Sequence, residues 1–522
     1  MVARALSTSG SSGTPRVCPS RPAGQGDAGR PRLAWSNGSV TEQQATRAGV
    51  GLRSERGPVL LAVMLSTGLV AIDSTILATA VPALVADLGG FSQFPWLFSA
   101  YLLAQAVTTP IFGKLADVLG RRTVMLVGIG SFVLGSVLCG LAWSMPALIA
   151  FRAVQGIGAG AVQPMGMTII GDIYTVAERA RVQGYVASVW AASSVVGPTL
   201  GGIFVDFLDW RWVFFVNIPL GGLAAWVLVR RFTERTRPTS HRIDWPGAAL
   251  LTVAASLLIL GLLSGGVEWA WTSPTSLLVL GAGTVAALAF VLVERRAAEP
   301  VLPGWVFGRR VLNGAHLSSL AVGALLIGLT SYIPVYAQGV LGTSALVAGF
   351  ALAAMTLGWP LAAANAGRLY LRLGFRDTGL IGAVLALAGT ASMLPLGLHS
   401  SVWHVAAGCF GVGVGLGLIA APTLIAAQST VGWEERGVVT GAVMFARSMG
   451  SALGLAVFGA VVNARVGTQL GGHGGGEAAL PAELLSPAVH DVLVVSTGVA
   501  VLLLAAVLVV PRRVRTAEDA ST

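Results

Sequence analysis

Apolar residues fall in fourteen stretches of roughly 18 to 28 residues between Pro58 and Arg512, and polar residues gather in short intervals between them. Each stretch is long enough to cross a bilayer as a helix. The pattern predicts spans at 58–83, 95–116, 123–143, 146–170, 182–205, 212–230, 246–264, 274–293, 312–338, 346–366, 379–398, 402–427, 437–463 and 490–510. Glycine and proline recur inside them, which bilayer helices tolerate when neighbours satisfy the freed backbone groups. Pairs such as Gly411 with Gly415, Gly413 with Gly417 and Gly450 with Gly454 let helices approach closely. The fold class expected is an all-α integral membrane protein.

Composition agrees, since 54% of the 522 residues are hydrophobic and 11% are charged, against about 25% charged in a soluble domain. The net charge of +10 would suit a nucleic-acid binder, but the placement of the basic residues answers to a membrane. With a cytoplasmic amino terminus, twenty-nine of the 33 basic residues fall in cytoplasmic loops and tails. Arg211 and Arg465 are left outside, and Arg152 and Arg447 lie within spans. This asymmetry orients the chain in a cytoplasmic (inner) membrane with both termini inside, and leaves no need for a nucleic-acid partner. Cys18, Cys139 and Cys409 have no spacing that suggests a disulfide framework or a metal site.

Residues 1–57 are rich in Gly, Ser, Pro and Arg, and are expected to form a disordered cytoplasmic tail. A start site further downstream would shorten this head, which mass spectrometry of the mature terminus tests. The first span is too long for a signal-peptide core and should be retained. An internal echo relates Gly113-Lys-Leu-Ala-Asp117-Val-Leu-Gly120-Arg-Arg, after span two, to Gly367-Arg-Leu-Tyr-Leu-Arg-Leu-Gly374-Phe-Arg, after span ten. It suggests two six-helix bundles, 58–230 and 312–511, with an inserted helix pair in 231–311 and a tail at 512–522.

Asp73 is the one acidic residue near the centre of a span, where an ionised carboxylate is costly unless solvated or paired. Such a group can load and release a proton; its competing role is a hydrogen bond that fixes helix geometry. Arg152 in span four must face the bundle interior or a water cavity, and is the natural electrostatic partner for an acid that carries protons. A structural arginine bonded to carbonyls is the alternative. Arg447 is a second buried cation. Gln105, Gln163, Asn217, His316, Tyr332, Tyr336, Gln338 and Asn365 could line a path, although each alone suits packing. Asp117 before Arg121 and Arg122, with Gly113 and Gly120 beside two helix ends, favours a charge clamp between helices. Lys114 is the only lysine. Span five carries Gly184, Ser193, Gly197, Pro198, Gly201 and Gly202, which favours close packing or a bend. No Ser-His-Asp, metal-ligand or P-loop pattern accompanies these residues, so neither an enzyme nor an ATP-driven pump is expected.

These segments resemble the major facilitator superfamily, and within it the fourteen-span drug:proton antiporter family, over roughly residues 58–511. Gly113 to Arg122 is similar to the family's loop 2–3 signature, Leu148 to Gly160 to its span-four signature with Arg152 at the proton-linked position, and Gly184 through Ser193 to Gly197-Pro198 to its antiporter signature. Asp73-Ser-Thr-Ile through Pro82, and Trp210 to Gly221, resemble patterns of the fourteen-span branch. Ser193 stands where glycine is usual, and Leu371 occupies the acidic position of the second-half echo. The resemblance implies a proton-coupled exporter of hydrophobic or cationic drugs, antibiotics or related small molecules, working by alternating access. It implies no cofactor, energy from the proton gradient, contact with lipid, and no obligate protein partner. Asp73 and Arg152 would couple protons, and Asp117 with Arg121 and Arg122 would latch one side. An importer or metabolite exporter of the same fold is the first rival, distinguished by the direction of accumulation. A sensor that binds without translocating is the second, distinguished by the absence of flux.

Overall fold

The computed structural model describes residues 50–512 and 514, apart from 90–94, 233, 235–243, 266–268, 299, 344 and 470–481. The fold is all-α. Its long helices are α1 (Gly57–Leu88), α2 (Pro95–Leu119), α3 (Arg121–Gly140), α4 (Met145–Ile173), α5 (Val176–Phe207) and α6 (Asn217–Arg231), the last preceded by one turn at Trp212–Phe215. They continue as α7 (Trp245–Ser264), α8 (Pro274–Glu294), α9 (Arg310–Gly339), α10 (Ala345–Leu373), α11 (Phe375–Ser392), α12 (Val402–Ser429), α13 (Arg436–Gln469) and α14 (Ala482–Val509). Among the described residues, thirteen segments are long and apolar enough to cross a membrane. The remaining helix, α11, carries Arg376 and Asp377 in its first turn, which dilutes its apolar character.

Local chemistry sets the helix starts. Ser144 and Thr175 cap α4 and α5 through their hydroxyls, and Thr175 with Glu178 forms a capping box. Asp244, Ser273 and Ser401 cap α7, α8 and α12. At the two echo positions Gly120 and Gly374 adopt φ of 90° and 88°, so both repeats reverse the chain with the same left-handed residue.

Several helices run further than the sequence pattern, such as α5 from Val176 and α10 to Leu373, and three departures have a local cause. The last helix begins at Ala482 instead of 490, because its polar first turns are still helical. Span 379–398 is shifted to Phe375–Ser392, since Gly374 opens the helix before its charged turn. The tail expected at 1–57 has a folded end: Ser54 bonds the Gly51 carbonyl, and Arg56 reaches Glu178 at 2.5 Å and the Ile173 carbonyl at 2.7 Å. Residues 1–49, the rest of that tail, lie outside the described residues, as do Cys18 and most of 512–522.

One large apolar core is built from residues of α1 to α6 and another from α9 to α12 and α14. The two sets of helices meet along α2 with α13 and along α5 with α10. Glycines of the echo sit at both crossings. A Cβ on Gly113 would lie 2.7 Å from the Gly437 carbonyl oxygen, and one on Gly367 would lie 2.0 Å from the Cβ of Ala180. Of the inserted pair, α7 rests on both α2 and α13, with Ile259 packed against Ala106 and Ala452. Within the first set, Gly135 faces the backbone of Gln155 and Gly158 that of Phe132, so α3 and α4 cross nearly backbone to backbone. That crossing brings polar groups of the two helices within bonding reach.

Candidate functional site

Asp73 on α1 is fully buried, and its Oδ2 accepts from Arg152 Nη1 of α4 at 2.7 Å. The same nitrogen donates to Gln155 Oε1 at 2.6 Å, and Arg152 Nε reaches the Leu97 carbonyl at 3.2 Å. Gln155 Nε2 donates to Asp73 Oδ1 at 2.7 Å, and Asn217 Nδ2 donates to the same oxygen at 3.1 Å. Ser136 Oγ accepts from both amides, at 2.8 and 3.2 Å. The guanidinium carbon stands 4.2 Å from the ring centroid of Tyr101 on α2. Four side chains and one backbone carbonyl, from α2, α3, α4 and α6, thus enclose one carboxylate and one guanidinium, each with a side chain 1% exposed. The free Cys139 thiol lies at the margin, 3.9 Å from Gln155 Oε1.

Asn217, expected as cavity lining, is placed on Asp73 instead. The Trp210 to Gly221 segment explains why: Trp210 Nε1 and Arg211 Nη1 grip Asp87 of α1 at 3.0 and 3.1 Å, and seven residues after Trp210 the chain delivers Asn217 to Asp73 on the same helix. Gln155, Ser136 and Tyr101 were not singled out from the sequence. Gln155 stands three residues after Arg152, on the same helix face, and that spacing was the available signal.

Span five packs on this centre. Thr75 Oγ1, two residues after Asp73, donates to the Ser193 carbonyl at 2.9 Å, and a Cβ on Gly197 would lie 2.0 Å from the Thr75 hydroxyl. Helix α5 runs without interruption through Pro198, Gly201 and Gly202. Gly184 lies on the other seam, facing Ala364 of α10.

A second polar cluster joins the two helix sets at the end where α2 stops. Arg121 bonds Asp117 at 2.7 Å and Asp172 at 3.1 Å, donates to the Trp433 carbonyl, and places its guanidinium carbon 3.7 Å from the Trp433 ring centroid. Asp117 in turn accepts the backbone N–H groups of Gly437 and Val438 at 3.1 and 2.9 Å, at the positive end of α13. Arg436 crosses back to the Gly171 carbonyl and to Asp172 at 2.7 and 3.1 Å. Arg122 does not join this clamp: its side chain donates to the Val229 carbonyl, while Glu234 caps the N–H groups of Arg121 and Arg122. Asp172, Arg436, Trp433 and Glu234 escaped the sequence reading because each lies just beyond a span.

The other expected lining residues divide. Gln105 donates to Gln163 at 3.0 Å, across α2 and α4. Tyr336 is buried and bonds the Gly397 carbonyl at 2.7 Å, and Tyr332 packs edge-on against Phe458. Asn365 bonds Arg368 and the Leu361 carbonyl of its own helix. Arg447 is part-buried on α13. Among the described residues no group of His, Cys, Asp and Glu could hold a metal ion.

A sequence profile of the Major Facilitator Superfamily matches residues 63–455. The chain is 35% identical over 405 residues to the multidrug transporter protein MdtP of Bacillus subtilis (strain 168), covering 78% of this chain and 75% of that one. It is 36% identical over 402 residues to multidrug resistance protein 3 of the same organism, covering 76% and 78%. Efflux pump FUS6 of Gibberella moniliformis is 32% identical over 407 residues, covering 76% and 72%. The crystal structure of the human organic anion transporter MFSD10 shares the fold, with a TM-score of 0.59 at 16% identity over 87% of this chain and 99% of that one. The chain belongs to the major facilitator superfamily and is a membrane transporter of the multidrug efflux type.

Proposed function

We propose that the protein is a proton-coupled antiporter of the cytoplasmic membrane, which exports hydrophobic small molecules, antibiotics among them, by alternating access. The observation that carries this reading is the Asp73–Arg152 pair at 2.7 Å, walled off from solvent by five helices. Such a pair is held together by its opposite charges, and removing one charge in a low-dielectric site leaves the other uncompensated. A proton arriving on Asp73 makes it a neutral acid and frees Arg152 to re-pair, while Gln155 and Asn217 re-orient around the new hydroxyl. Thr75, two residues along α1, carries the change to α5 through the Ser193 carbonyl, and α5 forms one seam with the opposite helix set.

The clamp of Asp117, Arg121, Asp172 and Arg436 acts as the latch of this cycle. The positive-inside pattern supports a cytoplasmic position for it, and on that reading this conformation is the one closed toward the cytoplasm. Loss of the latch would open that face for cargo to enter. The test is Asp73→Asn in inverted membrane vesicles. Export driven by the pH gradient should vanish while the amount of protein in the membrane is unchanged; wild-type export in that variant overturns the proton-carrying role.

A further inference from the structure

Among the arginines of the helix sets, buried Arg152 is neutralised by Asp73 and buried Arg121 by Asp117 and Asp172, whereas Arg447 lies part-buried on α13. Arg447 has no such compensation. Among the described residues no carboxylate pairs with it and no acceptor is bonded to its guanidinium. It stands eleven residues into α13 from Arg436, about 17 Å along the helix axis, near the middle of a bilayer of about 30 Å.

The packing of α13 fixes which way position 447 faces. Gly437 and Gly441 meet Gly113 of α2, whereas Gly450 and Gly454 meet Leu320 and Ala324 of α9. Leu453 and Val457 are the exposed positions. At about 100° per residue, residue 447 follows Thr440 by two turns and Val443 by one, both buried, and falls in the sector between the α2 and α9 faces. That sector opens toward the other helix set and away from the exposed stripe. The α2 stretch from Gly113 back through Thr109 to Ala106 runs alongside α13 between Gly437 and Ala452, the stretch that holds Arg447.

We propose that Arg447 is the recognition point for an anionic group of the cargo, so that the preferred substrates are amphiphilic acids carrying a carboxylate or similar oxyanion. This rests on the exporter reading and sharpens its substrate class. An unpaired guanidinium in a low-dielectric site repels a cation and binds an oxyanion through two parallel N–H donors. Of the hydrophobic or cationic cargo that the family resemblance implies, this site would disfavour the cationic part. The charge balance has a consequence: inward movement of one proton with outward movement of one monoanion carries two positive charges inward, so an interior-negative potential drives the cycle as well as the pH gradient.

The test uses the purified full chain in proteoliposomes with an imposed pH gradient, and three probes on one aromatic ring system: a carboxylate, its neutral methyl ester and a quaternary ammonium. Wild type should move the carboxylate fastest and the ammonium slowest. Arg447→Gln should lower carboxylate flux roughly tenfold or more, the order of a lost charge-assisted bond, while ester flux stays within about twofold and Arg447→Lys keeps part of the carboxylate flux. Ammonium flux equal to or above carboxylate flux in wild type overturns the proposal, and so does an Arg447→Gln variant with unchanged carboxylate flux. If Arg447→Gln does not reach the membrane, the order of the three probes in wild type decides alone. Asp73→Asn separates the two readings: it should stop all three probes, and if it does not, proton coupling fails while the probe order still judges Arg447.

Discussion

Asp73 and Arg152 share a 2.7 Å contact in which the carboxylate has no spare oxygen, because Gln155 and Asn217 already occupy the one that Arg152 leaves. Every partner of Asp73 is a donor, so the site is built around the ionised acid. Deleting one charge of such a pair costs about 3–5 kcal/mol, whereas removing both can be neutral. Arg152→Gln should therefore lower the melting temperature of the detergent-solubilised protein and abolish export. The double variant with Asp73→Asn should regain most of the lost stability and none of the coupled export. A double variant no more stable than Arg152→Gln would show that the pair is not the coupled unit, and thermal unfolding of all four proteins closes that cycle.

Asn217 is expected to tune the carboxylate instead of anchoring it. Asn217→Ala leaves Gln155 on the same oxygen and should cost about 1–2 kcal/mol, with the variant still inserted and folded. With one donor to the carboxylate gone, the rate of export at a fixed pH gradient should fall. An unchanged rate in vesicles would confine Asn217 to packing.

The fourteen spans, the all-α class, the close-packing glycines and the central acid were legible because they follow from length, hydropathy and the cost of charge in hydrocarbon. The pairing of Asp73 with Arg152 was not, since a contact across 79 positions leaves no periodic trace within either helix. Asp172 and Arg436 were hidden for a different reason. They sit where a hydropathy window ends and read as ordinary loop charges until the fold closes α4 against α13. Asn217 was found but placed on a path, because its partner is visible only once Trp210 and Arg211 have tied the chain to Asp87.

The seam between α2 and α13 depends on the absence of side chains. A Cβ on Gly113 would press on the Gly437 carbonyl at 2.7 Å, and on Gly437 it would meet the Gly113 carbonyl. Gly113→Ala should push the helices apart and break the N–H bonds from Gly437 and Val438 to Asp117. Cysteines introduced on α2 and α13 at this end should cross-link slowly in the variant and rapidly in the parent. Equal rates would mean that the seam closes without glycine.

The second seam replaces the acid with a phenol. Tyr370, at the echo position of Ala116, donates its hydroxyl to the Val176 carbonyl at the start of α5 at 2.8 Å and stacks on Phe375. Leu371, which takes the acidic place of Asp117, is exposed. Tyr370→Phe keeps the stacking and should cost about 1 kcal/mol, far less than Asp117→Ala, which strips both the Arg121 pair and two backbone donors. Chemical unfolding of the two variants side by side measures the difference, and equal losses would contradict this division between the seams.

At the opposite end of α1, Asp87 supplies a pH handle outside the bilayer-crossing stretch. The Trp210 indole N–H first, and Arg211 second, hold its carboxyl below the ordinary aspartate value of 3.8, against the opposing effect of burial. Because the folded value is the lower one, the contribution is complete above 3.8 and is lost as pH falls through the depressed value. The turn at 209–216 should therefore keep its hydrogen-exchange protection down to the ordinary carboxylate range and lose it only below that range. Asp87→Asn should remove the pH step altogether, since the amide no longer titrates, and should loosen the turn at neutral pH. Asn217 begins α6 directly after this turn, so the same variant should reduce the occupancy of the Asn217 bond to Asp73 and slow export, as Asn217→Ala does. A protection step unchanged by Asp87→Asn would assign the transition to another group and detach the surface turn from the buried pair.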